Sequence, residues 1–147
     1  MYKKLFVPVD GSELSHRAMD GSIALAKQLG ASINGFVVEP DLPLSVVNQD
    51  AHTSTERIKQ HETQNEAHAK ALLDQFAQRA QAAGVEFVAS HVTAYSVDNA
   101  IMEAADQSGC DMIVMVTHGR GAVGEFLFGS HTKKIVARSK LPVFVLH

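Results

Sequence analysis

The sequence has little cysteine, no tryptophan and no long hydrophobic run. The single Cys110 excludes an intramolecular disulfide, and with no Cys-x-x-Cys motif or basic cluster beside it we expect a buried, inert thiol. No window approaches the ~20 apolar residues of a membrane helix. The short apolar run at residues 5–9 cannot form the core of a signal peptide. We therefore expect a cytoplasmic protein with no membrane contact.

The net charge is also small: 13 Lys and Arg residues oppose 16 Asp and Glu residues, which gives −3. Without a basic field, the chain lacks the usual means of attracting nucleic acid, so we expect no nucleic-acid partner. A chain of 147 residues with 46% hydrophobic residues can bury one core. We expect a single domain over residues 1–147.

Short apolar runs rich in β-branched residues alternate with longer segments of helical spacing, a pattern typical of βαβ units. Predicted strands cover residues 5–9, 33–38, 85–92, 112–116 and 142–146, and predicted helices cover 14–29, 53–83, 96–107 and 130–139. This alternation predicts an α/β fold, an open parallel sheet with helices on both faces. Pro8 disfavours a central position for the first strand, because it removes a ladder donor.

In open α/β sheets, ligands bind beyond the carboxyl ends of the strands. The loops at 10–12, 39–52, 93–95 and 117–129 should therefore share one rim, with 39–52 a surface excursion. Residues 119–124 match the dinucleotide motif G-x-G-x-x-G, but the position 20 residues past Gly124, where that motif needs an acidic residue, is Phe144, and we expect no second half-domain to complete the site. Residues 124–129 match part of a P-loop, yet Ser130-His131 replaces its Lys-Ser/Thr. Both motif readings are rejected.

The glycine-rich segment nevertheless has the properties of a phosphate site. It has four glycines in eleven residues, and Ser130 then opens a helix that carries Lys133 and Lys134 in its first turn. Unhindered amides, a helix N-terminus and two cations suit a phosphate group. The alternative is a flexible connection in which Ser130 is only an N-cap.

Histidines on the long predicted helix raise the question of a metal site. His61 and His68 lie seven residues apart, whereas a shared ion normally needs a spacing of three or four, so with Glu62 they suggest a solvated face. The G-x-S-x-G motif of a hydrolase nucleophile is also missing from the sequence.

Four stretches of the chain are similar to the universal stress protein (UspA-type) family: VPVDGS at 7–12, DMIVMVTHGR at 111–120, Gly129-Ser130 ahead of a helix, and LPVFVL at 141–146. The ATP-binding subgroup of that family carries G-x2-G-x9-G-S/T. Here Gly119, nine residues and Gly129-Ser130 reproduce all but the first glycine, which is Val116. This departure weakens the case for a backbone contact at residue 116, but it leaves the rest of the glycine-rich segment as a phosphate site.

The resemblance implies an ATP-binding protein of the adenine-nucleotide α-hydrolase-like, Rossmann-like fold with strand order 3-2-1-4-5. Asp10 would accept hydrogen bonds from the ribose or adenine, Val38 would contact the adenine, and Gly119, Gly129, Ser130 and His131 would line the phosphates. From the residues alone, Asp10 could simply cap the first helix with Ser12, and Val38 could be core. The full expected binding set is Pro8, Val9, Asp10, Val38, Val116, Thr117, His118, Gly119, Arg120, Gly121, Gly129, Ser130, His131 and Thr132.

The expected function is a stress-response protein whose bound ATP, with Mg²⁺ as the default cation, signals its state to an unidentified protein partner. The last strand, residues 142–146, is an apolar edge that a second copy could pair with, so we expect a homodimer. Two alternatives stay open, a nucleotide-free dimeric interaction module and a slow adenine-nucleotide hydrolase. We expect no enzyme beyond slow ATP turnover, because no well-placed lysine, arginine finger or general base emerges.

Overall fold

The computed structural model describes residues 1–42, 51–117 and 127–147, with the backbone alone at 51–54 and 127–129. Strands and helices alternate over these residues as predicted. The elements are β1 (Lys4–Val9), α1 (Glu13–Leu29), β2 (Ser32–Pro40), α2 (Ala51–Ala82), β3 (Phe87–Ala94), α3 (Val97–Gln107), β4 (Met112–Val116), α4 (Leu127–Arg138) and β5 (Val143–Leu146).

All the neighbouring strands run parallel in the order β3-β2-β1-β4-β5, which confirms the expected topology. The ladder between β1 and β2 is continuous from the pair Lys4 and Ser32 to the pair Val9 and Val37. The ladder between β1 and β4 holds only the pairs of Leu5 with Met112 and of Phe6 with Ile113. The ladder thus ends early between β1 and β4, where the strand order reverses and α/β folds bind ligands.

Pro8 occupies the central strand β1 despite its missing N–H group, and the direction of the peptide groups explains why. Ser32 donates to the Lys3 carbonyl on the β2 side, whereas Asp111 donates to the Lys4 carbonyl on the β4 side. The N–H and C=O groups of successive residues in a strand point to opposite sides. Those of the even-numbered residues of β1 therefore point towards β4. The backbone nitrogen of Pro8 therefore points towards β4, beyond the last pair of the ladder between β1 and β4. The ladder between β1 and β2 loses no donor.

Two apolar layers cover the two faces of the sheet. On one face α1 and α2 pack on the odd-numbered residues of β1, with Met19 and Phe76 fully buried. On the other face α3 and α4 pack on Phe6 and Phe36 through Ile101 and Ile135. The predicted helices on both faces are therefore present. Cys110 lies in the second layer at 6% exposure, and burial raises the pKa of its thiol, as expected for an inert cysteine.

Two predicted boundaries are wrong for local reasons. The third strand begins at Phe87 rather than at residue 85, because Gly84 adopts φ +72° and Val85 N donates back to the Ala80 carbonyl to close α2. The last helix begins at Leu127 rather than at Ser130. Ser130 is consequently inside the helix and is not its N-cap.

The longest helix, α2, spans 32 residues and is tied to the carboxyl end of β2. His61 Nε2 donates to the Pro40 carbonyl at 3.0 Å, and His68 Nδ1 bonds Glu39 Oε1 at 2.5 Å. His68 is 52% exposed and Glu62 is also exposed, as expected for a solvated face, but the two histidines in addition anchor the helix to β2. Neither α2 nor any other helix in the described ranges combines the length and apolar character needed to cross a membrane.

Candidate functional site

A pocket with about 400 Å³ of empty space, part of it open to solvent, lies at the carboxyl ends of β1 and β2, beneath α3 and α4. Its wall is mostly apolar, with one carboxylate and one imidazole, a lining that suits a flat ring carrying a few polar groups. The structure brings together five of the expected binding residues and three others. The lining residues are Pro8, Val9, Asp10, Val38, Pro40, Val97, Ile101 and His131.

Asp10 reaches the pocket from a turn that it fixes itself. Its Oδ1 accepts a hydrogen bond from Ser12 N at 2.9 Å and another from the Ser15 hydroxyl at 3.0 Å. The Ser15 oxygen in turn accepts from the amides of Asp10 and Gly11 at 3.0 and 2.9 Å. Ser12 holds the N-cap position of α1 without a side-chain cap bond. The carboxylate is thus oriented by Ser15, and Ser12 and Asp10 do not form the capping pair that the sequence allowed.

The first turn of α4 lies beside this pocket and carries unsatisfied polar groups. The first N–H groups of a helix have no partner within it, here including those of residues 127–129, and their dipoles attract anions. Thr132 is 5% exposed, and its hydroxyl has no hydrogen-bond partner among the residues that the structure describes. Ser130 is exposed. An orphaned buried hydroxyl near free amides is what an absent polar ligand would satisfy.

Val116 does not close the pocket. Its side chain is 3% exposed and packs in the layer under α1 and α2, on the opposite face of the sheet. Thr117 N donates to the Leu146 carbonyl at 3.0 Å, so this amide belongs to the sheet. His118, Gly119, Arg120 and Gly121 lie outside the described residues, and Gly129 lies in the first turn of α4.

A charged cluster adjoins the pocket at His131. Its Nδ1 lies 3.2 Å from Oδ1 of Asp98, whose side chain is only 8% exposed, and Lys134 Nζ and Arg138 Nη1 lie 4.0 and 3.7 Å from the same carboxylate. Burial by itself raises the pKa of Asp98. The backbone hydrogen bond, the bond to His131 and the charge of Lys134 outweigh it and hold the pKa below the ordinary value. Asp98 is therefore an ionised carboxylate beneath the imidazole.

Four of the site residues are missed by the sequence analysis: Pro40, Val97, Ile101 and Asp98. A signal for Asp98 was available, because it lies three residues before the inward-facing Ile101 and so falls on the buried face of α3. A buried acid of this kind needs a partner, and the basic residues of the last helix were the candidates.

The arrangement fits an adenine nucleotide on physical grounds. The apolar walls contributed by Val38, Val97 and Ile101 can hold a planar base, and Asp10 can accept hydrogen bonds from its polar edge or from a ribose. The free amides of α4 and the cations around His131 can hold a phosphate.

The comparison with known sequences identifies one family. The model of the "Universal stress protein family" matches residues 1–147. Universal stress protein MJ0531 of Methanocaldococcus jannaschii is 29% identical over 148 residues, covering 99% of this chain and 82% of that protein. Universal stress protein YxiE of Bacillus subtilis is 26% identical over 151 residues, covering 99% of both chains.

The comparison with solved structures gives the same fold. The hypothetical protein MJ0577 superposes with a TM-score of 0.80 at 23% identity, over 99% of this chain and 96% of that one. A universal stress protein in complex with cAMP superposes at 0.68 and 24% identity, over 99% and 97%. The universal stress protein from Archaeoglobus fulgidus in complex with dAMP superposes at 0.65 and 16% identity, over 99% and 98%.

Proposed function

Because the chain belongs to the universal stress protein family, we propose that it binds an adenine nucleotide, with ATP as the ligand, and acts in the stress response as a nucleotide-dependent dimer. The observation that carries the proposal is the apolar pocket at the ends of β1 and β2, open beside the first turn of α4. The cAMP and dAMP bound by two proteins of the same fold support an adenine ligand.

In the proposed complex the base lies between Val38 and Ile101, and Asp10 accepts hydrogen bonds from the ribose or the adenine. The amides at 127–129, the Thr132 hydroxyl and the cations of α4 hold the phosphates. Mg²⁺ enters with the triphosphate, because it prefers oxygen ligands and retains phosphate oxygens and water.

Turnover in this site is expected to be slow. Phosphoryl transfer depends on positioned cations and on a group that orients the nucleophile. The Asp10 carboxylate is already used to fix its own turn, and its Oδ1 accepts two hydrogen bonds there. The slow hydrolase is the second candidate function, and release of ADP or AMP from purified protein would favour it.

Nucleotide binding is tested by thermal unfolding with and without ATP. At 100 times Kd the ligand adds about 2.7 kcal/mol of stability, which for a chain of this size raises Tm by roughly 5–10 °C. We expect Val38→Trp, which fills the pocket, and Gly129→Glu, which puts a negative charge in the first turn of α4, to abolish the rise.

The matched control is Val88→Trp, since Val88 is 50% exposed on β3 and lies outside the pocket. The control should keep the rise in Tm. An unchanged Tm of the wild type in the presence of ATP would instead support a nucleotide-free interaction module. Mass spectrometry of the small molecules extracted from purified protein gives an independent test.

A further inference from the structure

The pocket contains an imidazole whose two ring nitrogens have different surroundings. His131 Nδ1 is held by Asp98 at 3.2 Å, and the ring is 17% exposed where it lines the pocket. When one ring nitrogen is bound to a carboxylate, the other is the one left for a ligand, and its direction is fixed. Nε2 is therefore the nitrogen that His131 can offer to a molecule in the pocket.

Resting on the proposed function, we propose that His131, oriented by Asp98, recognises a phosphate of the bound nucleotide through Nε2, and that this contact makes nucleotide affinity rise as pH falls. In this arrangement Asp98 is a positioning residue, because it acts on the ligand only through the imidazole. The protonated ring has two donors, one for Asp98 and one for a phosphate oxygen.

Charged side chains from three elements lie around His131. From α3 it faces the Asp98 carboxylate, and from its own helix Lys134 and Arg138 approach that same carboxylate at 4.0 and 3.7 Å. From β1 it faces Asp10 across the pocket.

The residues of β2 that line the pocket carry no charge. Val38 and Pro40 are apolar, and the Glu39 carboxylate is engaged by His68 on the opposite face of the sheet. Among the described residues, the charged groups around the imidazole are thus the carboxylates of Asp98 and Asp10 and the cations of Lys134 and Arg138.

The probe that tests this contact is cAMP, because its single phosphodiester keeps one negative charge throughout the range in which histidine titrates. Adenosine is the matched neutral ligand, since it lacks the phosphate. Isothermal titration calorimetry between pH 8 and pH 5.5 should give a Kd for cAMP that falls roughly tenfold, the size of a hydrogen bond to a charged group, and a constant Kd for adenosine.

Two substitutions separate the imidazole from its orienting carboxylate. His131→Gln keeps a polar side chain that cannot become charged, so the pH dependence for cAMP should vanish. Asp98→Asn keeps an acceptor for Nδ1 but loses the negative charge that holds the ring, so the gain in cAMP affinity between pH 8 and pH 5.5 should be smaller than in the wild type. His91→Gln, an exposed histidine on β3, is the control and should behave as the wild type.

The outcomes distinguish this inference from the proposed function. If the wild type binds cAMP with a Kd independent of pH, or if His131→Gln retains the full pH dependence, the inference is overturned and nucleotide binding stands. If cAMP fails to bind and ATP binds, Kd is measured against pH with ATP for the wild type and for His131→Gln. The phosphates of ATP titrate too, and His131→Gln shows the pH dependence that comes from ATP alone. If the wild type binds none of the three ligands at any pH, the proposed function is overturned as well.

Discussion

At the residue scale, Asp98 is a carboxylate that is buried and yet ionised. Its pKa is lowered in the folded chain, since its hydrogen bonds and neighbouring cations outweigh the cost of burial. A lowered pKa means that the carboxylate stabilises the fold above its unfolded-state value, 3.8, and that this stabilisation disappears as pH falls through the folded-state value.

We therefore expect Asp98→Asn to lower the free energy of unfolding by about 1–3 kcal/mol at pH 7, and the difference from the wild type to shrink below pH ~3.8. Urea denaturation without ligand at pH 7, 5 and 3.5 measures it. The control is Asp106→Asn, because Asp106 pairs with Lys140 at 3.5 Å but is 41% exposed, and an exposed pair contributes little. A difference that grows on acidification would contradict this account.

Sequence reasoning reached only part of the site at this scale. Asp10 and Val38 follow from their places at strand ends and from the family motif, and both line the pocket. Asp98 was missed because its partners are distant in sequence, at positions 131, 134 and 138. No local pattern encodes which basic side chains the packing of α3 on α4 will bring to one carboxylate.

At the element scale, the start of α1 depends on a serine other than the one at its N-cap. The Ser15 side chain is 1% exposed and accepts hydrogen bonds from two backbone amides, whereas the Ser12 hydroxyl is buried without a partner. Capping statistics alone would rank Ser12 as the more important of the two.

We expect Ser15→Ala to destabilise the chain by about 1–3 kcal/mol, because it leaves the amides of Asp10 and Gly11 without their acceptor and removes one of the two hydrogen bonds to Asp10 Oδ1. Ser12→Ala should change stability by no more than about 0.5 kcal/mol, since it removes no bond. Chemical denaturation of both variants under the same conditions compares them. An equal or larger loss in Ser12→Ala would show that the capping rule holds here after all.

The elements themselves were largely predictable, because burial on both faces of a parallel sheet leaves continuous apolar strands and striped helices. β4 at 112–116 was predicted to the residue. The wrong boundaries lie where the geometry of a chain reversal, and not the hydrophobic pattern, sets the end of a helix or strand. Val85 is as apolar as a strand residue but closes α2, and Leu127 starts a helix inside a segment that its glycines suggested was a loop.

At the scale of the whole molecule, β5 is an edge of the sheet with an apolar surface. Phe144 is 41% exposed on this strand, which pairs with β4 on one side. Leu146 is unsuitable for testing an interface, because its Cδ1 would lie 2.6 Å from a Cβ at Gly21 and it therefore packs on α1 of its own chain. Phe144 is free of that complication.

We expect the wild type to sediment as a dimer and Phe144→Asp to sediment as a monomer, because a charge on a strand edge opposes pairing. Analytical ultracentrifugation at matched concentrations measures both masses. Val88→Asp is the control, since Val88 is 50% exposed on β3, at the opposite edge of the sheet. A dimeric Phe144→Asp would place the interface elsewhere.

Pro8, in the middle of the sheet, affects how much the protein must rearrange to bind a ligand. Its ring faces β4 at the level where the hydrogen-bonded pairs of β1 and β4 have ended. Because the missing hydrogen belongs to the covalent chain, no rotamer change or thermal fluctuation can restore a bond at that position. The gap between β1 and β4 is therefore present before any ligand binds. Binding then loses little free energy to rearrangement of the protein.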